Sequence, residues 1–278
     1  CIFRLNIELR SHWFFVPSRA SKNIMKSIKF IFLISILSIL MSCQTKYDSP
    51  NIILMMADDL GWGDTGFNGH ADIQTPNLDM LASSGIIFNR FYSASPVCSP
   101  TRASCLTGRN PYRMGIYTAN KGHLPKSETT LAEILKKQGY VTGHFGKWHL
   151  GTFTTEIKDA NRGRPGDSTH LSVPTDHGFD TYFSTESKVP TWDPMLKPLT
   201  YDTEHGESLR FGWKAIVDEQ VEEYGTRYWT GINEEYTGSL RGDDTEIIMN
   251  KALDFITESA ESDEDFLAVI WTHAPHLP

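Results

Sequence analysis

From Pro50 onward, short apolar runs alternate with amphipathic segments, and this alternation limits the architectures open to the chain more than any other feature. "NIILMM" (Asn51–Met56) is a continuous apolar run before a pair of acids, the pattern of a parallel strand buried on both faces. "TPNLDMLASSG" follows, with Thr75 as cap, Pro76 in the first turn and Gly85 as stop, which predicts a short helix. "IIFNRFY" (Ile86–Tyr92) reads as the next strand. "SPTRASCLTG" repeats the helix signature with Ser99 as cap, Pro100 in the first turn and Gly108 at the end. A further helix is predicted over Thr129–Gly139, a strand over Tyr140–Gly146, a long amphipathic helix over Asp243–Ser259 and a buried strand over Phe266–Thr272. Such alternation predicts an α/β fold, a mostly parallel sheet with helices on both faces.

Residues 152–242 depart from this rhythm. They are rich in Gly, Pro, Thr and aromatics with little sustained periodicity, and are expected to be insertions on one core rather than a second domain. The sequence stops at "HAPHLP" directly after a strand, so the expectation is a fragment lacking its C-terminal part. With 40% apolar and 22% charged residues among 278, the composition is that of a chain able to bury a large core.

The N-terminus reads as processing signals. Residues 1–24 begin with Cys and are expected to be an upstream, non-native extension. Met25 opens "MKSIKFIFLISILSILMSC": two lysines, an apolar run from Ile28 to Met41, then a small residue before Cys43. That order describes a secretory signal peptide over residues 25–42, too short for a comfortable membrane span. "LMSC" is similar to a bacterial lipobox, which makes Cys43 the lipid anchor, 43–49 a linker, and the mature chain an exported periplasmic or outer-membrane lipoprotein. The first 42 residues carry six Lys/Arg and one Glu, so their removal takes the net charge from −8 to −13. Such acidity argues against a nucleic-acid partner.

Ligands of open parallel sheets bind beyond the carboxyl ends of the strands. There the sequence places Asp58 and Asp59, then Lys147 and His149, then His273 and His276. A helix carrying Cys98 and Arg102 begins at the same edge. Each feature has an ordinary reading: the acids as a turn, Lys147 and His149 as surface groups, Cys105 as core. Paired carboxylates before a glycine-rich continuation also suit a hard divalent ion such as calcium. Cys98 by itself could be a packed thiol, a disulfide half, a metal ligand or a nucleophile. A local bridge to Cys105 is improbable, because seven residues of helix separate them by about 10 Å.

Taken together, the blocks resemble the sulfatase family of the alkaline-phosphatase-like superfamily. "CSPTRASCLTGR" is similar to its C-x-P-S/T-R signature, and "NIILMMADDLGWGD", "TPNLDMLASSGIIFNRFY", "GYVTGHFGKWHLG" and "APHLP" come in the family's order. The resemblance makes residues 50–278 the N-terminal portion of a sulfatase catalytic domain. It implies that a maturation enzyme oxidises Cys98 to formylglycine, whose hydrate attacks sulfur. It further implies Asp58, Asp59 and the modified Cys98 as calcium ligands, and Arg102 and Lys147 as contacts to the hydrate and sulfate. His149 would take the proton that releases the bound sulfate, and His276 would bind sulfate and protonate the leaving oxygen. A later pair of calcium ligands expected of the family is absent, so this chain alone is expected to be inactive.

The implied reaction is hydrolysis of sulfate esters, on sulfated polysaccharide or its oligosaccharides. Trp192, Trp213, Tyr224, Tyr228 and Trp229 are candidates to stack on sugar rings. Two other readings stay open: a phosphate ester or phosphonate hydrolase of the same superfamily, and a non-catalytic glycan-binding lipoprotein.

Overall fold

A computed structural model describes residues 49–199 and 221–276. The signal peptide, Cys43 and Trp213 therefore lie outside the described residues. Six strands form the main sheet in the order β1-β8-β2-β3-β6-β7. β1 (Ile52–Asp58), β2 (Val141–Lys147), β3 (Thr181–Thr185) and β8 (Phe266–Pro275) run parallel, with β8 inserted between β1 and β2. β6 (Trp229–Gly231) and β7 (Glu234–Glu235) close one edge antiparallel. β4 (Leu196–Pro198) and β5 (Val221–Glu223) pair separately.

β8 shows why its sequence is apolar throughout. Leu267, Val269 and Trp271 point into one core cluster with Ala103, Leu106 and Ala132, while Phe266, Ala268 and Ile270 point into another with Ile248 and Ala252. Alternate side chains of a strand leave on opposite faces, so helices on both sides must cover it. In chain order the helices are α1 (Pro76–Ser84), α2 (Cys98–Thr107), α3 (Leu131–Lys136) and α4 (Asp244–Glu261); α2 and α3 cover the first face and α4 the second. The expected doubly covered, mainly parallel α/β sheet is what the chain forms. Helix ends follow the expected chemistry in part. Thr130 caps α3 with a reciprocal Glu133 box, and Gly108 ends α2 in a left-handed turn (φ 67°).

Three expectations are corrected. Ile86–Tyr92 forms no strand; Phe91 is 83% exposed, and the segment pairs with no described strand. β1 is parallel but lies at the sheet edge, so Ile53 and Met55 are exposed while alternate residues Ile52, Leu54 and Met56 pack inward. Ser99 does not cap α2: Val97 holds the cap position. The Ser99 hydroxyl instead contacts the carbonyls of Ala119 and His149, tying the helix start to the end of β2.

Candidate active site

The site forms where β1, β2 and β8 end and α2 (Cys98–Thr107) begins. α2 presents Cys98 as its first residue and Arg102 one turn later, on the same face. β1 delivers Asp58, buried, and Asp59, exposed and in a left-handed conformation (φ 65°). β2 delivers Lys147 and, just beyond the strand, His149, both buried. Gly146 lets β2 approach β8: at φ 98° it has no side chain, and a Cβ there would fall 2.0 Å from the Trp271 carbonyl.

These side chains form one connected cluster. The Lys147 ammonium donates to the Asp58 carboxylate and lies 3.5 Å from Cys98 Sγ. Arg102 reaches the other Asp58 oxygen at 3.0 Å, donates to the Lys147 carbonyl at 2.8 Å, and sits 5.0 Å over the Trp271 ring. Burial would push the Asp58 carboxyl up, but the Arg102 and Lys147 cations outweigh it and hold the group below its usual range. His149 is driven well below the usual imidazole range, first by burial, then by Lys147, Arg162 and Arg102, so its ring is neutral. His276 Nε2 lies 3.5 Å from Asp59 Oδ2.

Asp58, Cys98 and His276 each offer a donor atom, all within 4.8 Å of one another. No metal is present. Asp58 and Asp59 supply two carboxylates at one edge, the hard oxygen donors that suit calcium, and fit part of the six to eight oxygens such an ion takes. An open cleft of about 690 Å³ runs past this cluster, lined by Asp58, Asp59, Cys98 and Arg102 and by Leu60 and Tyr92.

Of the residues singled out in the sequence, Asp58, Asp59, Cys98, Arg102, Lys147, His149 and His276 meet here. His273 does not. It is fully buried on β8, its ring bonded to Asp244 at 2.7 Å and Thr185 at 2.8 Å, where it ties α4 to β3. Cys98 and Cys105 are free thiols, and Cys105 packs against the core, its thiol pushed up by burial.

Two aromatic candidates are also corrected. Tyr228 stacks on Phe183 with its hydroxyl on Asp244, and Trp229 stacks on Phe153 with its indole N–H on Asp159; both are buried and closed to a sugar. Tyr224 lines a second cleft of about 310 Å³ together with Asn161, Glu186 and Lys188. Asn161 contacts the His149 ring, is itself held by Glu186 and Ser187, and Glu186 pairs with Arg162; none of the four was legible in the sequence. They come from an irregular segment and a strand end, and no local spacing marks them.

The described residues thus join a mainly parallel α/β sheet to buried cations, carboxylates and a helix-start cysteine at its strand ends. The Sulfatase family profile matches residues 50–278. The chain belongs to the sulfatase family. It is 38% identical over 241 residues to human N-acetylgalactosamine-6-sulfatase, an alignment covering 81% of this chain and 40% of that protein. Among solved structures it is similar to i-CgsB in complex with k-i-k-neocarrahexaose, with TM-score 0.58 and 30% identity over 83% of this chain and 46% of that one. It is also similar to a structure in complex with its substrate D-glucosamine-2-N,6-O-disulfate, with TM-score 0.53 and 25% identity over 82% of this chain and 35% of the other. The chain thus spans about 40% of the length of the curated relatives it matches.

Proposed function

We propose that the whole protein hydrolyses sulfate esters of sulfated carbohydrates, with Cys98 as the precursor of formylglycine. The observation carrying this reading is the continuous cluster Cys98–Lys147–Asp58–Arg102, in which a thiol at a helix start contacts an ammonium already anchored on a buried carboxylate. A plain packed thiol has no need of that company. In an oxidised Cys98, the same Lys147 ammonium is placed to stabilise oxygens on the carbon that now bears sulfur.

The fixed cations explain how the site would act. Attack on a sulfate ester builds negative charge on the oxygens around sulfur, and preorganised positive groups in a water-poor site lower that barrier most. Lys147 and Arg102 are buried, held by Asp58 and by backbone or ring contacts, and need not reorganise as charge develops. His149 is neutral and buried beside them. His276 lies less buried, at the outer rim beside Asp59, a place from which a leaving oxygen can be protonated. Calcium, held by Asp58 and Asp59, would act as a Lewis acid on substrate oxygen.

The substrate class rests on the relatives' own descriptions: one names a sulfated amino sugar as its substrate, and another is an N-acetylgalactosamine-6-sulfatase. Export through the segment at 25–42 and anchoring at Cys43 complete the proposal, placing the enzyme outside the cytoplasm where polysaccharide is met. Peptide mass spectrometry of protein made in its native host tests the central step. The Cys98 peptide is expected to carry the aldehyde or its hydrate. An unmodified thiol in protein that still binds glycan favours a non-catalytic binding protein.

A further inference from the structure

Parallel strands that end side by side bring whatever follows them to one edge of the sheet. Lys147 is the register partner of Thr185, the last residue of β3, and Lys188 stands three residues beyond Thr185. The turn that carries Lys188 is braced. The Thr185 carbonyl accepts the Trp148 N–H at 2.9 Å, and the Thr185 hydroxyl donates to the Ser187 carbonyl at 2.8 Å. The Ser187 hydroxyl accepts from the Asn161 amide at 2.9 Å, and that amide also meets the His149 ring. Lys188 is thus stapled to the strand end that delivers Lys147 and His149.

Lys188 is half-buried and shares the field of the reacting cluster. Burial, then the Lys147 charge, holds its ammonium below the usual lysine range, while Cys98 acts in the opposite sense. Two ammonium groups brought near one thiol repel each other, and an anion beside them relieves that repulsion. Lys147 is committed to Asp58, whereas Lys188 lines the second cleft, of about 310 Å³. The acids of that cleft are engaged by other groups. Glu186 pairs with Arg162, and Asp159 accepts the Trp229 indole N–H at 2.9 Å with Arg227 at 3.9 Å. Arg227, shared with Glu235 at 3.2 Å, and Tyr224 line the same cleft. Cations beside an aromatic face suit a sugar that carries negative charge.

We propose that Lys188 is a specificity-determining residue: in the cleft it shares with Tyr224 and Arg227, it holds a second anionic group, a sulfate or a carboxylate, on the sugar that presents its scissile sulfate to Cys98 or on the sugar joined to it. This rests on the sulfatase reading above and adds a substrate class to it, sugars bearing more than one negative charge. The division of labour follows from the two lysines. Lys147, anchored on Asp58 and 3.5 Å from Cys98 Sγ, serves the sulfate that reacts. Lys188, in the neighbouring cleft, serves a charge that does not react. Binding energy from such a remote group selects the substrate and raises kcat/KM.

The test compares kcat/KM of the whole matured protein on three sugars: a hexosamine 6-sulfate, the same sugar with a second sulfate, and the same sugar joined to a uronic acid. Wild type is expected to prefer a doubly charged sugar over the singly charged one by roughly 10-fold or more, the size of a hydrogen bond between charged groups. Preference for the disulfated sugar identifies the second group as sulfate, and preference for the uronate identifies it as carboxylate. In Lys188→Gln the ratio is expected to fall toward one, a change that a merely structural lysine would not produce. Lys188→Met, which keeps the stem, serves if Lys188→Gln does not fold. Equal kcat/KM on all three sugars by wild type, or a preference kept in full by the variant, overturns the proposal. Where none of the three is hydrolysed, calorimetric binding of the same sugars decides. Tighter binding of a doubly charged sugar, lost in the variant, upholds the subsite, and equal binding overturns it. The sulfatase reading fails separately, if wild type leaves an aryl sulfate intact as well.

Discussion

Lys147 Nζ bridges two elements that are 49 residues apart in sequence, lying 3.5 Å from Cys98 Sγ at the start of one helix while its own backbone ends the neighbouring strand. The same ammonium is paired with Asp58, which ends a third element, so one side chain joins three. Lys147→Met keeps much of the buried stem but leaves Asp58 with Arg102 alone. Breaking a buried ion pair costs about 3–5 kcal/mol, here lessened by the remaining arginine. Denaturant unfolding is expected to show a loss near 2–3 kcal/mol, and kcat on a sulfate ester a fall of about 10²-fold or more. Unchanged turnover would mean the ammonium only holds Asp58 in place.

Gly146 precedes that lysine and sits against the Trp271 carbonyl at φ 98°. Gly146→Ala must move either β2 or β8, because the new Cβ meets backbone rather than a flexible side chain. A loss of more than about 2 kcal/mol in stability is expected from strain and overlap together. Thermal unfolding checks it: a shift as small as that of a surface glycine replacement would show that the strands tolerate wider spacing here.

The two histidines of "THAPH" should separate cleanly. His273 is buried between Asp244 and Thr185, and His273→Ala leaves Asp244 short of a partner, with an expected cost of about 3 kcal/mol. His276 is only partly buried, and His276→Ala is expected to lower kcat with a stability change under about 1 kcal/mol. Measuring midpoint and turnover for both variants decides it. Equal effects on both readouts would erase the distinction between a structural and a site histidine.

Three of the buried histidines, His144, His149 and His177, make the fold acid-sensitive. Burial holds His144 and His149 well below the usual imidazole range and brings His177 down to about 4. A histidine with a lowered folded-state pKa binds fewer protons than the unfolded chain, so its contribution is complete above about pH 6.5 and is lost as pH falls toward the folded value. For His177 that window runs from about 6.5 down to about 4. Stability by urea unfolding is expected to decline across it, with up to about 1.4 kcal/mol per pH unit from each such group. His177→Gln, which can retain the contact to Ser172, should flatten the slope by one group's share. A slope unchanged by the substitution would count against a neutral buried His177.

Particular residues show what the sequence made legible. β8 could be read because a long run with both alternating sets of side chains apolar suits a strand covered on both faces. Cys98, Arg102, Asp58, Lys147 and His149 could be grouped because parallel strands bring their carboxyl ends to one rim, whatever lies between them in sequence. Ile86–Tyr92 misled because β-propensity describes side chains that suit a packed, paired surface, and this segment pairs with no described strand and leaves Phe91 exposed. Ser99 misled because its hydroxyl found the carbonyls of Ala119 and His149 in place of its own helix. Tyr228 and Trp229 gave no sign of burial, since aromatics in an irregular segment look alike whether they face a ligand or a core. Asn161 was invisible for a different reason: its partners His149, Glu186 and Ser187 meet only once the loop is folded.

The central claim is that this cluster is built for a sulfate ester. Turnover of a paired aryl sulfate and aryl phosphate with the same leaving group, by the whole protein after maturation, tests it directly. The account predicts a clear preference in kcat/KM for the sulfate, lost in Cys98→Ala. Preference for the phosphate, or equal sulfate turnover by Cys98→Ala, would contradict it.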